Sequence, residues 1–400
     1  MNKNNNNNLN YNNNNTHPNN VTTRRRLKVI QTHLVVASSS TSAPEQEKKA
    51  EDPFDLLQPS TYMHVPRFEP GDPAASKYLE TEGYVVFKNC LTKSECEKGI
   101  QYAWDWLEEY NPNLNRNNIE TWKNENWYNK GSAGNGIIGG HGIGQSKLLW
   151  HCRSAPRVKE AFANILGDDN LLTSFDGANV FRPWKYDASW KTKQSWFHTD
   201  QLAFPIKDKD GKMLYHGAVG GKREYIQGFV NLVKTTPETG GNTVVPKTHK
   251  MFMELAKKYG KGKYGERGMY YIIARKEPEL LNTAIRAHLE AGDLFLWDSR
   301  TIHGNSCGFD DSGKIDSNTN KNHDLIRVIA YVCMAPKAKL NEKDRDKYIE
   351  IRKKAVENGW TDGHQVLHTL NFMDTVGNHR NKFAKKTGII LNEYQKELAF

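Results

Sequence analysis

The stretch Ser195–Gln201, SWFHTDQ, places a histidine and an aspartate one residue apart inside an aromatic run with the character of a β-strand. Side chains alternate between the two faces of a strand, so His198 and Asp200 are predicted to project from the same face, with Trp196 beside them. An imidazole and a carboxylate on one face form two arms of a metal site. Such a pair also occurs as two hydrogen-bonded polar residues, and this stretch alone leaves both interpretations open.

Short strand-like runs surround this stretch and favour a mostly β fold with flanking helices. They are separated by Gly, Pro and Asn/Asp signals, which is typical of a sandwich or barrel and not of a βαβ array. Before them come a predicted helix with a Thr92-x-x-Glu95 capping box and a second helix over 155–166, for which Ser154 is the candidate N-cap. The strand-like runs are GYVVFKN, LLTSF, ANVFRPW, SWFHTDQ, YIQGFVNLVKT, NTVVP, YYIIARK, AHLEAGDLFLWD and LIRVIAYVCM.

Composition divides the chain into three parts: a tail over 1–55, a folded body over 56–340 and a helical extension over 341–400. The tail begins with an asparagine tract that has too little apolar surface to fold, so it is predicted to be disordered. The residues before Glu45 include no acidic residue and carry five of the ten excess positive charges. The body therefore has an ordinary mixed surface, and we expect no nucleic-acid partner. No apolar run reaches about 18 residues, so we expect no membrane span.

A second motif completes the candidate metal site. In GDLFLWDSRTIHGNS, Gly292–Ser306, an apolar strand leads into a loop that carries His303. Together with His198 and Asp200, it would form a two-histidine, one-carboxylate triad, the ligand set that leaves iron(II) with open positions. The sequence has neither the HExxH motif nor the His-x-Glu with CxxC of common zinc enzymes.

Arg327 interrupts the apolar run LIRVIAYVCM and is predicted to share a face with Ile329 and Tyr331. A buried and unpaired charge costs several kcal/mol, so the guanidinium must meet an anion or reach solvent. A bound dicarboxylate satisfies this requirement through two parallel hydrogen bonds. An edge strand from which the arginine reaches solvent, or an internal salt bridge, remains an alternative.

The order of these motifs resembles the phytanoyl-CoA dioxygenase family of iron(II)- and 2-oxoglutarate-dependent oxygenases. The resemblance covers roughly 77–336 and includes YLETEGYVVFKN near its start and GGNTVVPKTHK, Gly240–Lys250, which is similar to a Gly-rich strand of the family. It implies a double-stranded β-helix, or jelly-roll, core over 56–340. His249 in the latter motif is interpreted as a structural turn residue.

The resemblance implies a role for each matching residue. His198, Asp200 and His303 would ligate Fe(II), and Arg327 would hold the far carboxylate of 2-oxoglutarate. O2 is the implied cosubstrate, and ascorbate is a further candidate cofactor. Two more positions are candidates for contacting 2-oxoglutarate, namely Asn305, where the family often has a serine, and Asn231 in GFVNLVK.

The implied reaction is hydroxylation of an aliphatic C–H of a small-molecule substrate, with the 2-position of a fatty acyl-CoA as one candidate. Asp200 argues against a halogenase, which needs a small residue there. Alternatives are the same chemistry on an unrelated small metabolite, or a non-catalytic jelly-roll binding protein. The Gly- and Trp-rich insertion over 120–152 is predicted to form a lid or pocket wall. Basic residues available to bind CoA phosphates are Lys185, Lys191, Lys193, Lys222 and Arg223, which are equally interpretable as solvated surface.

The tail contains a candidate targeting signal. The segment Arg26–Leu34, RLKVIQTHL, resembles the amino-terminal peroxisomal targeting signal, and its Arg, Leu, His and Leu fall on one helical face. It predicts a peroxisomal import receptor as partner and a place for the enzyme in fatty acid metabolism. A mitochondrial presequence, which is also Arg- and Ser-rich and poor in acids, or a basic tail on a cytoplasmic protein, are the alternatives.

Overall fold

The computed structural model describes the folded body and parts of the C-terminal extension. The described residues are 62–131, 134–192, 197–207, 213–215, 221–259, 271–272, 277–309, 324–364, 366–368, 384 and 389–400. The chain divides into two units, Met1–Glu51 and Asp52–Phe400. The first unit, with the asparagine tract and the targeting segment, lies outside the described residues. Over the described ranges, no helix has the length and apolar character to span a bilayer.

Seventeen short strands lie in the described part of the chain, and they form the sheets that the sequence predicts. The strands run in chain order as β1 Tyr62–Met63, β2 Arg67–Phe68, β3 Tyr84–Phe87, β4 Ile137–Ile138, β5 Leu171–Thr173, β6 Ala178–Phe181, β7 His198–Thr199, β8 Ile206–Lys207, β9 Met213–Tyr215, β10 Ile226–Asn231, β11 Gly241–Val244, β12 Tyr271–Ile272, β13 Ile285–Ala287, β14 Leu294–Asp298, β15 His303–Ser306, β16 Arg327–Tyr331 and β17 Met334–Pro336. Most of their side chains are buried on both faces, which requires packed layers on either side.

Helices lie between the strands and after them. They are α1 Ala74–Glu82, α2 Lys93–Tyr110, α3 Lys147–Arg153, α4 Pro156–Leu166, α5 Phe252–Tyr259, α6 Pro278–Leu281, α7 Arg345–Glu357 and α8 Glu393–Ala399. The Thr92–Glu95 capping box at the start of α2 is confirmed, with both reciprocal hydrogen bonds present. The prediction that Ser154 caps α4 is wrong. Ala155 occupies that position, while Ser154 ends α3 and its hydroxyl donates to the carbonyl of Trp150, one turn back.

Two large sheets face each other and form the jelly-roll core predicted from the sequence. One sheet has the order β1-β13-β11-β15-β7-β12, and the other has the order β2-β3-β14-β10-β16-β6-β4. A single apolar cluster lies between them, with Val86, Phe229 and Phe295 from the larger sheet against Val244 and Ile285 from the smaller. The inward faces of β10, β11, β14 and β16 therefore line the interior of the core.

The outer face of the larger sheet is covered by helices. Val230, Leu296 and Val328 point outward into a cluster with residues of α2, α3 and α4. Because adjacent residues of a strand face opposite sides, Gln227, Phe229 and Asn231 on β10 project into the interior. The same alternation on β16 directs Arg327 inward, with Ile329 confirmed in the inner cluster.

Candidate active site

His198 and His303 meet across two paired strands of the smaller sheet. β7 and β15 are antiparallel, and their register places His198 directly opposite His303. Side chains of directly paired residues lie on the same face, and the two imidazole centroids are 4.3 Å apart. Val244, which pairs with His303 from the other side, belongs to the apolar cluster between the sheets. Both imidazoles therefore point into the interior of the core.

Asp200 joins the two histidines from a turn. β7 ends at Thr199, and the turn is held by the backbone N–H of Asp200, which donates to the carbonyl of Ser299 at 3.2 Å. One carboxylate oxygen lies 3.2 Å from Nε2 of His198, and the other lies 3.2 Å from Nε2 of His303. The predicted convergence of His198 and Asp200 is confirmed, although the strand stops one residue before the aspartate.

The protonation of this cluster suits a divalent metal. Nδ1 of His303 lies 3.0 Å from the carbonyl of Thr301, which only accepts, so Nδ1 carries the proton and Nε2 keeps its lone pair. Burial, followed by the neighbouring His198, lowers the pKa of His303 and keeps the imidazole neutral. Burial opposes the ionisation of Asp200, yet attraction by His364, His198 and His303 holds its pKa well below the ordinary value.

The three side chains fit the metal that the sequence predicts. Their ligand atoms lie within 4.8 Å of one another, and these residues are the one such His/Cys/Asp/Glu group in the described part of the chain. Two neutral imidazoles and one carboxylate on one side of an ion leave its other positions open, which is the arrangement used by non-haem iron(II) oxygenases. The side chains keep exposures of only 9%, 11% and 7%, so a bound ion would be largely shielded from water.

Gln227 is part of this site, and sequence reasoning missed it. Its Nε2 donates to the Asp200 carboxylate at 2.7 Å, and the side chain is buried on the inward face of β10. A hydrogen bond of this kind orients a carboxylate toward its metal. The available signal was an amide at an inward position of YIQGFVN, where an apolar side chain is the usual choice.

Arg327 lies inside the core with its charge unmatched. Its guanidinium packs over the rings of Phe181 at 5.5 Å and Phe229 at 5.2 Å, and Nε has no hydrogen-bond partner among the described residues. Burial lowers the pKa of Arg327 to about 10, and no described carboxylate forms an ion pair with it. The edge-strand and salt-bridge alternatives are both wrong for the described part of the chain, since β16 lies between β10 and β6.

Gly241 allows the Arg327 guanidinium to lie close to the backbone of β11. Gly241 starts β11 with φ +153°, and a Cβ at this position would lie 2.9 Å from Nη1 of Arg327. A side chain at this position would clash with the guanidinium, which explains why the second residue of GGNTVVPKTHK, Gly241, is a glycine. An inward guanidinium that forms no ion pair with the described residues is suited to a carboxylate, which it grips through two parallel hydrogen bonds.

The two asparagines predicted at the cosubstrate site differ in their position and in their hydrogen-bond partners. Asn305 follows His303 by two residues on β15 and shares its inward face, and its Nδ2 has no partner among the described residues. Asn231 lies four residues from Gln227 on β10, about 13 Å along the strand. Its Nδ2 donates to the carbonyls of Val233 at 2.7 Å and Glu290 at 3.1 Å. These bonds hold the loop after β10, and the structure does not bring this amide to the histidine–aspartate cluster.

His249 holds a turn, as the sequence suggests. Its Nε2 lies 3.0 Å from the carbonyl of Glu80, and its ring covers Gly83, where an added Cβ would lie 2.5 Å from Nδ1. The hydroxyl of Thr301 donates to the carbonyl of the same Gly83 at 2.9 Å. The two contacts tie the turns around β11 and β15 to the start of β3 and so support His303.

Trp196, predicted to lie beside His198 and Asp200, and Lys193, a candidate for binding CoA phosphates, lie outside the described residues. The ammonium of Lys185 lies 3.9 Å from Glu238, and that of Lys191 lies 4.6 Å over the ring of Trp184. Lys222 and Arg223 are exposed. These contacts are typical of a solvated surface, and they are also compatible with basic residues that bind an anionic ligand.

Residues of the Gly- and Trp-rich insertion line a pocket. The guanidinium of Arg182 is sandwiched between the rings of Trp127 and Trp190, each at 4.7 Å, and donates to the carbonyl of Trp122. Tyr128, Ile137 and Ile138 of the insertion line an open pocket together with Phe181. Phe181 also packs against the guanidinium of Arg327, so this pocket lies close to the arginine.

Comparison with known proteins places this chain in a family. The family model for "Phytanoyl-CoA dioxygenase (PhyH)" matches residues 79–306, more than half of the chain. "Ava biosynthesis cluster protein O" of Aspergillus versicolor is 27% identical over 66% of this chain and 77% of that protein. A Dictyostelium discoideum protein named for phytanoyl-CoA dioxygenase is 22% identical over 57% of this chain and 69% of its own.

One solved structure supports the fold assignment. The crystal structure of GlcNAc Inducible Gene 2, GIG2 (DUF1479), from Candida albicans superposes with a TM-score of 0.53 at 11% identity. The match covers 85% of this chain and 80% of the Candida protein. The two proteins therefore share a fold.

Proposed function

The chain belongs to the phytanoyl-CoA dioxygenase family and is a dioxygenase, and from this premise we propose that it hydroxylates an aliphatic C–H of a small molecule with iron(II) and 2-oxoglutarate. The observation that carries this proposal is the convergence of His198, Asp200 and His303, with Nε2-to-carboxylate distances of 3.2 Å. His198, Asp200 and His303 would hold iron(II). Arg327 would bind the far carboxylate of 2-oxoglutarate.

When bound, iron(II) and 2-oxoglutarate supply the oxidising chemistry, in which one atom of O2 enters the substrate C–H and the other enters succinate as CO2 is released. The chain prepares for this chemistry by orienting its own groups. Thr301 fixes the tautomer of His303, so that Nε2 keeps a lone pair toward the ion. Gln227 holds one carboxylate oxygen of Asp200, and the aromatic rings around Arg327 exclude water from its guanidinium.

The substrate proposal is a fatty acyl-CoA, hydroxylated at its 2-position. It is supported by the name of the family model and by the exposed Lys222 and Arg223, which precede β10 and offer charge for the CoA phosphates. A second candidate is an unrelated small metabolite. That candidate is favoured by the Trp-lined pocket and by the similarity to a protein named for a biosynthesis cluster.

A substrate screen separates the two candidates. Succinate release is measured with fatty acyl-CoAs, with the matching free acids and with small metabolites, and the Asp200→Ala variant serves as the blank. The acyl-CoA proposal predicts stimulation by acyl-CoAs but not by the free acids. Stimulation only by small metabolites contradicts it and supports the second candidate.

The proposed location is the peroxisome, with the import receptor as partner, and it rests on the Arg26–Leu34 pattern alone. A reporter fused to residues 1–45 is expected to localise to peroxisomes. Replacement of Arg26 or His33 by Ala is expected to abolish this localisation. A mitochondrial or diffuse distribution of the unaltered fusion contradicts this proposal.

A further inference from the structure

The space between the two large sheets has an apolar half and a half that contains the histidine–aspartate cluster. In the apolar half, Tyr84 and Phe295 of the larger sheet pack against Val244 and Ile285 of the smaller one. Among the described residues of β6 and β7, none belongs to this apolar cluster. The cluster half therefore lies between β16 and β6 of the larger sheet and β15 and β7 of the smaller sheet.

Two polar side chains of the larger sheet, Asn179 on β6 and Tyr331 on β16, face the interior. Asn179 pairs with Ile329, and Tyr331 pairs with Phe229. Directly paired residues share a face, and both Ile329 and Phe229 belong to the inner apolar cluster. Val180, the neighbour of Asn179, belongs to the outer cluster, as the alternation along a strand requires.

The side chain of Tyr331 adjoins open space close to the metal cluster. β16 has a strand on each side and its outer face is covered by helices, yet Tyr331 remains partly exposed. Its exposed surface therefore faces the space between the sheets. Its diagonal neighbours on the adjoining strands are Asn179 and Gln227, with Cβ atoms about 7–8 Å away. Tyr331 thus lies between Asn179 and the residue that orients Asp200.

The two amides that flank Tyr331 each keep an unused oxygen. Nδ2 of Asn179 donates to the carbonyl of Asn135 at 2.9 Å, and Nε2 of Gln227 donates to the Asp200 carboxylate at 2.7 Å. Because both partners only accept, these bonds determine which end of each amide is the nitrogen. Oδ1 of Asn179 and Oε1 of Gln227 are buried and have no hydrogen-bond partner among the described residues. A buried acceptor of this kind is costly until a ligand or a water donates to it.

We propose that Tyr331 and Asn179 form a binding site for an amide group of the substrate. This inference rests on the proposed function. The phenol hydroxyl donates to the amide carbonyl, and Oδ1 of Asn179 accepts from the amide N–H, so the unused groups of both partners are satisfied. Oε1 of Gln227 is a second acceptor on the side of the metal cluster. The pantetheine arm of an acyl-CoA contains secondary amides, and a small metabolite is a second source of the same group, whereas a free fatty acid has none.

The placement of Tyr331 is tested with a paramagnetic ion. Mn(II) and 2-oxoglutarate are added to the full chain, labelled with 13C at tyrosine and histidine, and the ring signals are compared with those of the Zn(II)-loaded protein. We expect Mn(II) to broaden the signal of Tyr331, assigned by its loss in Tyr331→Phe. A Tyr331 signal that stays sharp while two histidine signals broaden overturns the inference and spares the proposed function. No broadening of any signal contradicts the proposed function itself.

Tyr102 is the matched control for this experiment. Its ring lies 5.6 Å from that of His151 and packs against the outer cluster, where α2 and α3 cover the larger sheet. The larger sheet therefore separates Tyr102 from the interior. Mn(II) is expected to broaden the Tyr102 signal far less than that of Tyr331, and equal broadening of the two overturns the inference.

Amide recognition is tested with matched pairs of compounds. Succinate release is measured with S-palmitoyl-N-acetylcysteamine, which represents the thioester source, and with N-acetyl-leucinamide, which represents a small metabolite. Each is compared with its analogue in which the amide N–H groups are methylated. We expect methylation to lower kcat/KM about tenfold, because a buried acceptor loses its donor. Activity confined to one pair identifies the source of the amide, and an equal kcat/KM for a compound and its methylated analogue overturns the inference.

Two variants locate the recognition in the chain. In Asn179→Leu the acceptor is absent, so the preference for N–H over N-methyl should disappear. In Tyr331→Phe, which removes only a hydroxyl and tests the inference even if Asn179→Leu fails to fold, the KM for the amide should rise about tenfold with a smaller change in kcat. A preference that persists in Asn179→Leu, or an unchanged KM in Tyr331→Phe, overturns the inference.

Tyr84→Phe is the control for Tyr331→Phe. Tyr84 also faces the interior, but it lies in the apolar half, and its hydroxyl is 3.0 Å from that of Tyr78. The KM for the amide is expected to stay at the wild-type value in this variant. An equal rise of KM in Tyr84→Phe and Tyr331→Phe would show a general effect on packing and overturn the inference.

Discussion

Arg327 and Arg352 are both buried, with exposures of 3% and 1%, but only one of them has all its hydrogen-bonding groups satisfied by the protein. Arg352 on α7 donates to the carbonyls of Ala399 and Thr173 and to the hydroxyl of Tyr348. Arg327 on β16 packs against the rings of Phe181 and Phe229 and against Gly241, and its Nε has no partner among the described residues.

This difference indicates which of the two arginines binds a ligand. A buried guanidinium costs free energy unless its N–H groups are paired, and Arg352 meets that cost with protein oxygens. Arg327 would meet it only when an anion is bound. The Arg352 region is therefore predicted to stabilise the fold, whereas the Arg327 region, with the histidine–aspartate cluster, is predicted to contribute to turnover and little to stability.

The largest expected effect tests the catalytic side of this comparison. Asp200→Ala removes the one carboxylate of the metal cluster, and a bound metal supplies several kcal/mol of transition-state stabilisation, so 2-oxoglutarate turnover should fall by about 10³-fold or more. Thermal unfolding should stay close to that of the wild type. Normal succinate release by this variant would show that the cluster is not the iron site.

Arg352→Met tests the structural side. The change keeps the apolar stem but leaves the carbonyls of Ala399 and Thr173 without a donor, and we expect the free energy of unfolding to drop by about 3 kcal/mol. The KM for 2-oxoglutarate should not change. A raised KM with full stability would break the comparison, and urea unfolding with steady-state kinetics measures both quantities.

Arg327→Met is the reciprocal change. The KM for 2-oxoglutarate should rise about thirtyfold, since truncating one partner of a buried charge pair costs about 2 kcal/mol or more. The free energy of unfolding should be unchanged or higher, because an unpaired buried charge is gone. Arg327→Lys keeps the charge without the two-pronged geometry and should give an intermediate KM. A loss of stability equal to that of Arg352→Met would contradict the assignment.

Gln227→Leu tests whether Gln227 contributes to metal binding. Removing the hydrogen bond to Asp200 loosens one metal ligand, and iron(II) affinity is expected to fall about tenfold. The matched control is Gln145→Leu, because Gln145 is also buried and bonds Trp360 and Trp150 away from the cluster. Metal titration should distinguish the two variants, and equal affinities would remove Gln227 from the site.

The sequence predicted residues whose role follows from a local pattern. His198, Asp200, His303 and Arg327 each stand out as polar residues in an apolar or aromatic run, and their strand positions determine which way they point. The fold class followed from the same alternation. The family resemblance added the order of the motifs and hence the expectation that distant runs meet.

The sequence could not show partnerships that depend on distant segments. Gln227 bonds a residue 27 positions away, and His364 is placed by bonds to Gln145 and Gly144 through its neighbours, contacts that no periodicity encodes. Asn231 lies on the predicted inward face, but the loop after β10 folds back and accepts from its amide. Ser154 has the right residue type for an N-cap, yet α3 extends far enough to end there.

The most direct measurement is an anaerobic titration of the protein with iron(II) and 2-oxoglutarate, monitored through the weak visible charge-transfer band of the chelated pair. The wild-type protein should develop the band at a one-to-one ratio of each component. Arg327→Met should need about thirtyfold more 2-oxoglutarate to reach it, and Asp200→Ala should not develop it. The absence of the band in the wild type, or an unchanged band in Asp200→Ala, would contradict the account.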